Sequence, residues 1–377
     1  MTSERMQALL DEAVTRGAAP GLVAGVLRDG EARFWAAGAR GVADPTPMDP
    51  DAVFWIASCT KAITSAAALR LVEQGALDLD EPVGVRIPAL AEPQVLDGTG
   101  PDGRPRLRAA RRPLTLRSLL SHTSGLAYDF FSAELAGYFA ATGGSLAGSL
   151  ASGPPLVFEP GEGWQYGIGI DVAGWLIEHA TGQTLAAHLD EAFFRPLGMT
   201  SSSFEPGPDL TSRMAGMHRR GADGGFEPAE RFPSAPVLHG GGGLNSTAGD
   251  YLRFLAAVIA DDGGGVLGPA ALRGLREPAA QAGQAGCLAT TMPPLSHDFR
   301  PMPGTPLSWT LGFLRNDADV PGARRAGSLA WGGLANCYYW ADPASGVAGV
   351  LFGQFLPFAD PGMLATFEAV ERAAYEA

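Results

Sequence analysis

The stretch APGLVAGVLRDGEARFWAAG sets two short apolar runs around Arg28-Asp29-Gly30. An Asp-Gly pair supplies the positive φ angles of a two-residue turn, so the stretch predicts a β-hairpin. Strands return only in the last third of the chain, as SWTLGFLRN and as a second hairpin in NCYYWADPASGVAGVLFGQ, before a closing helix PGMLATFEAVERAAYEA. Between these ends, from about Leu77 to about Leu238, TLRSLLSHTSG, GIDVAGWLIEHATG and TLAAHLDEAFFRPLG carry helical spacing and are separated by Gly- and Pro-rich loops. Strands at both ends with helices between them predict an α+β chain, a sheet interrupted by a helical insertion. The expected division is a discontinuous sheet unit of residues 1–75 and 245–377 and a mostly helical unit of residues 76–244. At 377 residues and 46% hydrophobic content, the chain is long enough for two lobes sharing a large core. The polar, Gly- and Pro-rich stretch from Asp97 to Pro113 reads as a surface excursion.

Lys61 is the only lysine in a chain that uses arginine for every other basic side chain. It stands in the apolar stretch WIASCTKAITS. A guanidinium cannot lose its proton in a protein, whereas a desolvated ammonium can fall several pKa units and become a neutral base. Ser58 precedes it by three residues, and KAITSAAALRLVEQG reads as a helix stopped by Gly75. Residues three apart share a helix face. Ser58 therefore stands at a helix N-terminus, where free N–H groups favour a developing anion, with the Lys61 amine one turn along. That arrangement can activate a serine nucleophile, although the serine taken alone is equally an ordinary N-cap.

Several other chemistries are absent from the sequence. No Gly-Lys-Ser/Thr phosphate loop is possible around the single lysine, and no serine has the Gly-x-Ser-x-Gly context of a nucleophile elbow. The six histidines form no His-Glu-x-x-His, so neither a metal nor a cofactor is expected. HGGGGLNSTAGDYLRF lacks the strand and Gly-x-Gly-x-x-Gly context of a dinucleotide site. It reads instead as close backbone packing before a helix capped at Ser246 or Thr247. A net charge of −13 argues against nucleic acid or an anionic membrane as partner. No apolar run is long enough to span a bilayer, and the first residues do not read as a signal peptide. Cys59, Cys287 and Cys337, an odd number at unrelated spacings, fit reduced thiols and a cytoplasmic location.

The order Ser58-Cys-Thr-Lys61, LLSHTSGL ending at Leu126, PGEGWQY ending at Tyr166, GGGGLNSTAGDY ending at Tyr251 and Trp331-Gly332-Gly333 resembles the serine β-lactamase and penicillin-binding-protein superfamily. Within it the chain looks most like the family VIII carboxylesterases, relatives of class C β-lactamases. The resemblance runs in register over nearly the whole length. It implies an antiparallel sheet flanked by helices, an inserted helical domain, and a site in the cleft between them.

Carried over by position, Ser58 resembles the nucleophile, Lys61 its proton-accepting partner and Tyr166 the tyrosine that reaches them from the helical lobe. A phenol with a pKa of about 10 is a poor base, but an adjacent ammonium stabilises its phenolate, so Lys61 and Tyr166 are expected to titrate together. The backbone amides of Ser58 and Leu334 would form the oxyanion hole. Trp331, Gly332 and Gly333 fall where β-lactamases usually carry Lys-Thr-Gly, and Ile168 replaces the asparagine two residues after Tyr166. Both departures remove polar contacts that a lactam carboxylate would use. Tyr128, Phe130 and Phe131 are further candidates to line the cleft, and His122 is expected to tether a helix end to a loop.

The implied activity is that of a serine carboxylesterase on small-molecule esters of short to medium chain. An acyltransferase, or a β-lactam or amide hydrolase, would use the same acyl-enzyme, and a non-catalytic module could keep the fold. Nothing in the sequence fixes an oligomeric state.

Overall fold

The computed structural model describes residues 2–101, 103–150, 152–230, 239–280 and 285–376. At the Asp-Gly turn, Asp29 and Gly30 both have positive φ, 54° and 78°. That is the pattern of a type I′ turn, whose twist matches the strands it joins. It connects β1 (Gly21–Arg28) to β2 (Glu31–Gly41), with Arg28 opposite Glu31. After β3 (Asp44–Pro47) the chain leaves the sheet and returns as β4 (Leu307–Trp309), β5 (Leu314–Asn316), β6 (Leu329–Gly333), β7 (Cys337–Asp342) and β8 (Val347–Phe352).

These strands form one eight-stranded antiparallel sheet in the order β4-β5-β6-β7-β8-β1-β2-β3. The two chain ends meet where β8 pairs with β1, from Val23 opposite Phe352 to Leu27 opposite Ala348. The first six residues of β1 and all of β7 and β8 are buried. A strand buried at successive positions must be covered on both faces of its sheet. Of the helices α1 (Ser3–Thr15), α2 (Thr60–Glu73), α3 (Gly169–Thr181), α4 (Ala248–Ile259) and α5 (Pro361–Tyr375), the first and the last two lie on the sheet. α1 and α5 pack on each other and on the β1 and β2 side, α4 packs on β1 and β8, and α2 packs against α3. The expected cap of α4 falls on Thr247, whose hydroxyl accepts from the Asp250 amide.

The intervening segment carries the three expected helices, Leu116–Leu120, α3 and Leu185–Leu189, and a further one, Ala133–Thr142. Its expected close near Leu238 lies outside the described residues. Two features depart from the sequence reading. The Asp97–Pro113 excursion contains most of a hairpin, Gln94–Thr99 with Pro105–Ala109, and its strands are largely exposed. With little apolar surface on either face, the hairpin has no alternation to reveal it. SWTLGFLRN is two strands rather than one, because the chain turns at Thr310 to Phe313 with Gly312 at φ 142°, and the Thr310 amide donates to the Phe313 carbonyl at 2.9 Å.

Candidate active site

The chain enters α2 through a constrained turn. The Ile56 amide donates to the Leu244 carbonyl at 3.1 Å, and Ala57 follows with φ 44°, a conformation that costs a residue bearing a Cβ roughly 1 to 3 kcal/mol. A short 3₁₀ turn, Ala57–Cys59, then leads into α2. Ser58 does not cap that helix, because no side chain accepts its first amides. The ordinary N-cap role is therefore absent, and the hydroxyl is free for other partners.

Lys61 is 1% exposed. Its Nζ donates to the Gly241 carbonyl at 2.7 Å, to the Tyr128 hydroxyl at 2.9 Å and to Ser58 Oγ at 3.3 Å. Burial lowers its pKa to about 8, against the opposing pull of the Asp171 charge. Tyr128 in turn donates to Asp171 Oδ2 at 3.2 Å, and the Gly241 amide donates to Asp171 Oδ1 at 2.7 Å. One carboxylate thus holds both groups that position the lysine. Gly241 must be glycine, since a Cβ there would lie 2.1 Å from Asp171 Oδ2. The glycine cluster is close backbone packing, as its sequence context implied.

Tyr166 reaches Ser58 from the loop before α3. Its hydroxyl shares a hydrogen bond with the Ser58 side chain and accepts from Trp331 Nε1 at 3.0 Å. The Lys61 Nζ lies 4.9 Å from the centre of the Tyr166 ring. Here the geometry departs from the expected direct lysine–phenolate pair. Burial raises the Tyr166 pKa, opposed by the hydrogen bonds to Ser58 and Trp331, so the phenol stays protonated and meets the lysine through Ser58 Oγ. His122 also differs in detail. Its carbonyl accepts from the Gln165 amide at 2.9 Å and makes the expected tether, while its ring, packed between Tyr166 and Trp309, has no hydrogen-bond partner among the described residues. Burial holds that imidazole neutral.

β6 forms the opposite wall. A Cβ on Gly333 would sit 2.1 Å from the Ile56 carbonyl oxygen, so glycine allows the strand to lie directly against the turn that carries Ser58. Neither the Ser58 nor the Leu334 amide has a backbone acceptor among the described residues. A cavity of about 320 Å³ opens over Ser58 and is lined by Tyr128, Phe130, Phe131, Tyr166, Trp331, Gly332 and Leu334, whereas Gly333, expected beside them, packs on the Ser58 turn and is not in the lining. Among the described residues Asp129 is the only charged side chain in that lining. Neither Arg324, buried against Glu371 at 2.6 Å, nor Arg325 lines it.

A sequence profile described as Beta-lactamase matches residues 6–371. The chain belongs to the β-lactamase family. Its curated relatives include a monacolin J acid methylbutanoyltransferase from Aspergillus terreus, 35% identical over 88% of this chain and 84% of that protein. They also include a lovastatin esterase from Penicillium rubens, 35% identical over 81% and 80%, and the esterase EstB from Burkholderia gladioli, 34% identical over 92% and 89%. Among solved structures, unliganded simvastatin synthase (LovD) from Aspergillus terreus superposes with a TM-score of 0.84 at 30% identity, covering 99% of this chain and 97% of that one. This member is an enzyme of the serine-hydrolase type. No helix among the described residues is long and apolar enough to cross a membrane.

Two functional contributors went unread in the sequence. Asp171 sits in GIDVAGWLIEH, where an acid in the first turn of a helix passes for ordinary dipole compensation. The signal was its own helix face, where Ile168, Gly174 and Trp175, three and four positions away, carry no charge. Tyr128 was expected only as lining, whereas its hydroxyl contacts Lys61 directly.

Proposed function

We propose that this protein is a serine carboxylesterase acting on small-molecule esters of short to medium chain through an acyl-enzyme on Ser58. The observation that carries the reading is the placement of Ser58 Oγ between Lys61 Nζ, at 3.3 Å, and the Tyr166 hydroxyl. Neutral Lys61 accepts the Ser58 proton as Oγ attacks the ester carbonyl. A lysine with a pKa of about 8 supplies its neutral form in about a tenth of molecules at pH 7. The amides of Ser58 and Leu334 take the developing oxyanion, a role in which one donor is typically worth ~2.7 to 4 kcal/mol. Tyr166, kept protonated by burial, passes a proton to the leaving alcohol and is reprotonated from Lys61. Water, deprotonated by the same lysine, then attacks the acyl carbonyl, and the lysine returns that proton to Ser58 Oγ as the acid leaves.

The nearly apolar lining supports esters over β-lactams, because a lactam carboxylate would find no cation among its described residues. A second reading, transfer of the acyl group to an alcohol, draws on the 35% identity to a methylbutanoyltransferase. Both readings share the acyl-enzyme and differ in the acceptor. Fluorophosphonate labelling mapped to Ser58, together with turnover of p-nitrophenyl butanoate, tests the reading. Product analysis with a competing alcohol separates hydrolysis from transfer. Turnover without labelling at Ser58 would refute both, and the absence of labelling and turnover would favour a non-catalytic module.

A further inference from the structure

We infer that the cleft selects esters bearing a positively charged arm, an amine or quaternary ammonium, and rejects those bearing a carboxylate. The inference rests on the esterase reading and adds the substrate's charge to it.

The first observation is the charge of the lining. Among the described residues Asp129 is its one charged side chain and no arginine lines the cavity, while Lys61 faces Ser58, Tyr128 and the Gly241 carbonyl. The second is that the Asp129 carboxylate is partly buried yet engaged by no cation among the described residues. Its one hydrogen bond is local, accepted from the Phe130 amide at 3.1 Å. The turn it stands on does not depend on it. The Asp129 carbonyl accepts from the Thr291 hydroxyl at 2.8 Å, the Phe130 carbonyl from the Thr291 amide at 3.0 Å, and the Phe131 carbonyl from Gln165 Nε2 at 3.0 Å. The turn is held through its backbone, which leaves the carboxylate as an uncompensated charge on the cleft wall.

The third observation is what surrounds it. Tyr128 and Phe130 stack with ring centres 4.9 Å apart, Phe130 meets Phe131 at 4.6 Å, and Trp331 faces them across the cavity. An aromatic wall with one carboxylate is the chemistry that holds a desolvated ammonium, through ring faces and charge together. The same wall gives a carboxylate no donor to replace its water. A net charge of −13 adds a general attraction for cations.

The test uses p-nitrophenyl esters matched in length: pentanoate, 4-(trimethylammonio)butanoate and the glutarate half-ester. The expected kcat/KM for the cationic ester exceeds that for the anionic one by at least about tenfold at low salt, as for unit charges roughly 8 Å apart at an effective dielectric constant of roughly 20 to 40. The ratio should shrink as salt is raised. It should fall severalfold in Asp129→Asn and be retained in Asp129→Glu. A wild-type ratio near one, a ratio insensitive to salt, or an equal ratio in Asp129→Asn would overturn the proposal. Turnover of the pentanoate by the wild type tests the esterase reading separately, and the wild-type salt series needs no folded variant.

Discussion

Gly333→Ala probes the proposed oxyanion hole without touching a side chain of the site. The new methyl would stand 2.1 Å from the Ile56 carbonyl oxygen, and side-chain carbons do not approach backbone atoms more closely than 3.0 Å, so β6 and the Ser58 turn must separate by about 0.9 Å. Backbone lies on both sides of the contact, and no rotamer change can absorb it. The Leu334 amide follows directly after Gly333, so the separation falls between the two proposed donors. Misplacement by about 1 Å can cost ~10²-fold in rate, and full loss of one donor ~2.7 to 4 kcal/mol, about 10²- to 10³-fold in kcat. Overpacking should also lower stability by roughly 1 to 3 kcal/mol. Gly137→Ala is the control: no atom lies within 4 Å of a Cβ built there and the residue does not line the cavity, so its kcat should not move. The assay is kcat for p-nitrophenyl butanoate well below each variant's Tm. A folded Gly333→Ala enzyme with more than a third of wild-type kcat would refute the Leu334 assignment.

Lys61→Arg keeps the charge but not the titratable amine, so activity should drop by at least ~10²-fold, about as far as in Lys61→Ala. More than a tenth of wild-type activity would dismiss lysine as base. Tyr166→Phe retains ring packing while removing the hydroxyl; turnover should fall by orders of magnitude with little change in Tm, and a collapsed Tm with active residual protein would make the residue structural. The acid limb of kcat/KM should rise through pH about 8 as Lys61 loses its proton. The Asp171 charge raises that pKa, so Asp171→Asn should move the limb to lower pH while kcat falls through lost positioning of Tyr128; an unmoved limb would detach Asp171 from the lysine. Across p-nitrophenyl acetate to hexanoate, efficiency should climb with each buried methylene, worth ~0.8 kcal/mol, until the cavity fills. Nitrocefin should be turned over weakly or not at all, and an efficiency equal to that on the best ester would contradict the apolar reading of the cleft.

The hairpin at Asp29-Gly30, the closing strands and the Ser58–Lys61 spacing were legible because each is a local pattern. Tyr166, Leu334 and Trp331-Gly332-Gly333 could be placed only through the resemblance, since no short-range rule links residues more than a hundred positions from Ser58. The contact of Tyr128 with Lys61 spans 67 positions, and only the folded backbone reveals it. Asp171 was hidden because a buried acid and an exposed one look alike in a sequence, and its partner is a backbone amide of a glycine. The protonation state of the Lys61–Tyr166 pair was out of reach for a related reason. Nearness was foreseeable, but burial deep enough to keep the phenol protonated depends on packing by His122, Trp309 and Trp331.

The central claim is a covalent acyl-enzyme on Ser58, and acid quenching of the enzyme during turnover of p-nitrophenyl butanoate, followed by peptide mass mapping, tests it most directly. The predicted result is a butanoyl group on the peptide containing Ser58, absent in Ser58→Ala, which should also be inactive. A butanoyl group on another residue, or a Ser58→Ala enzyme that retains turnover, would contradict the account.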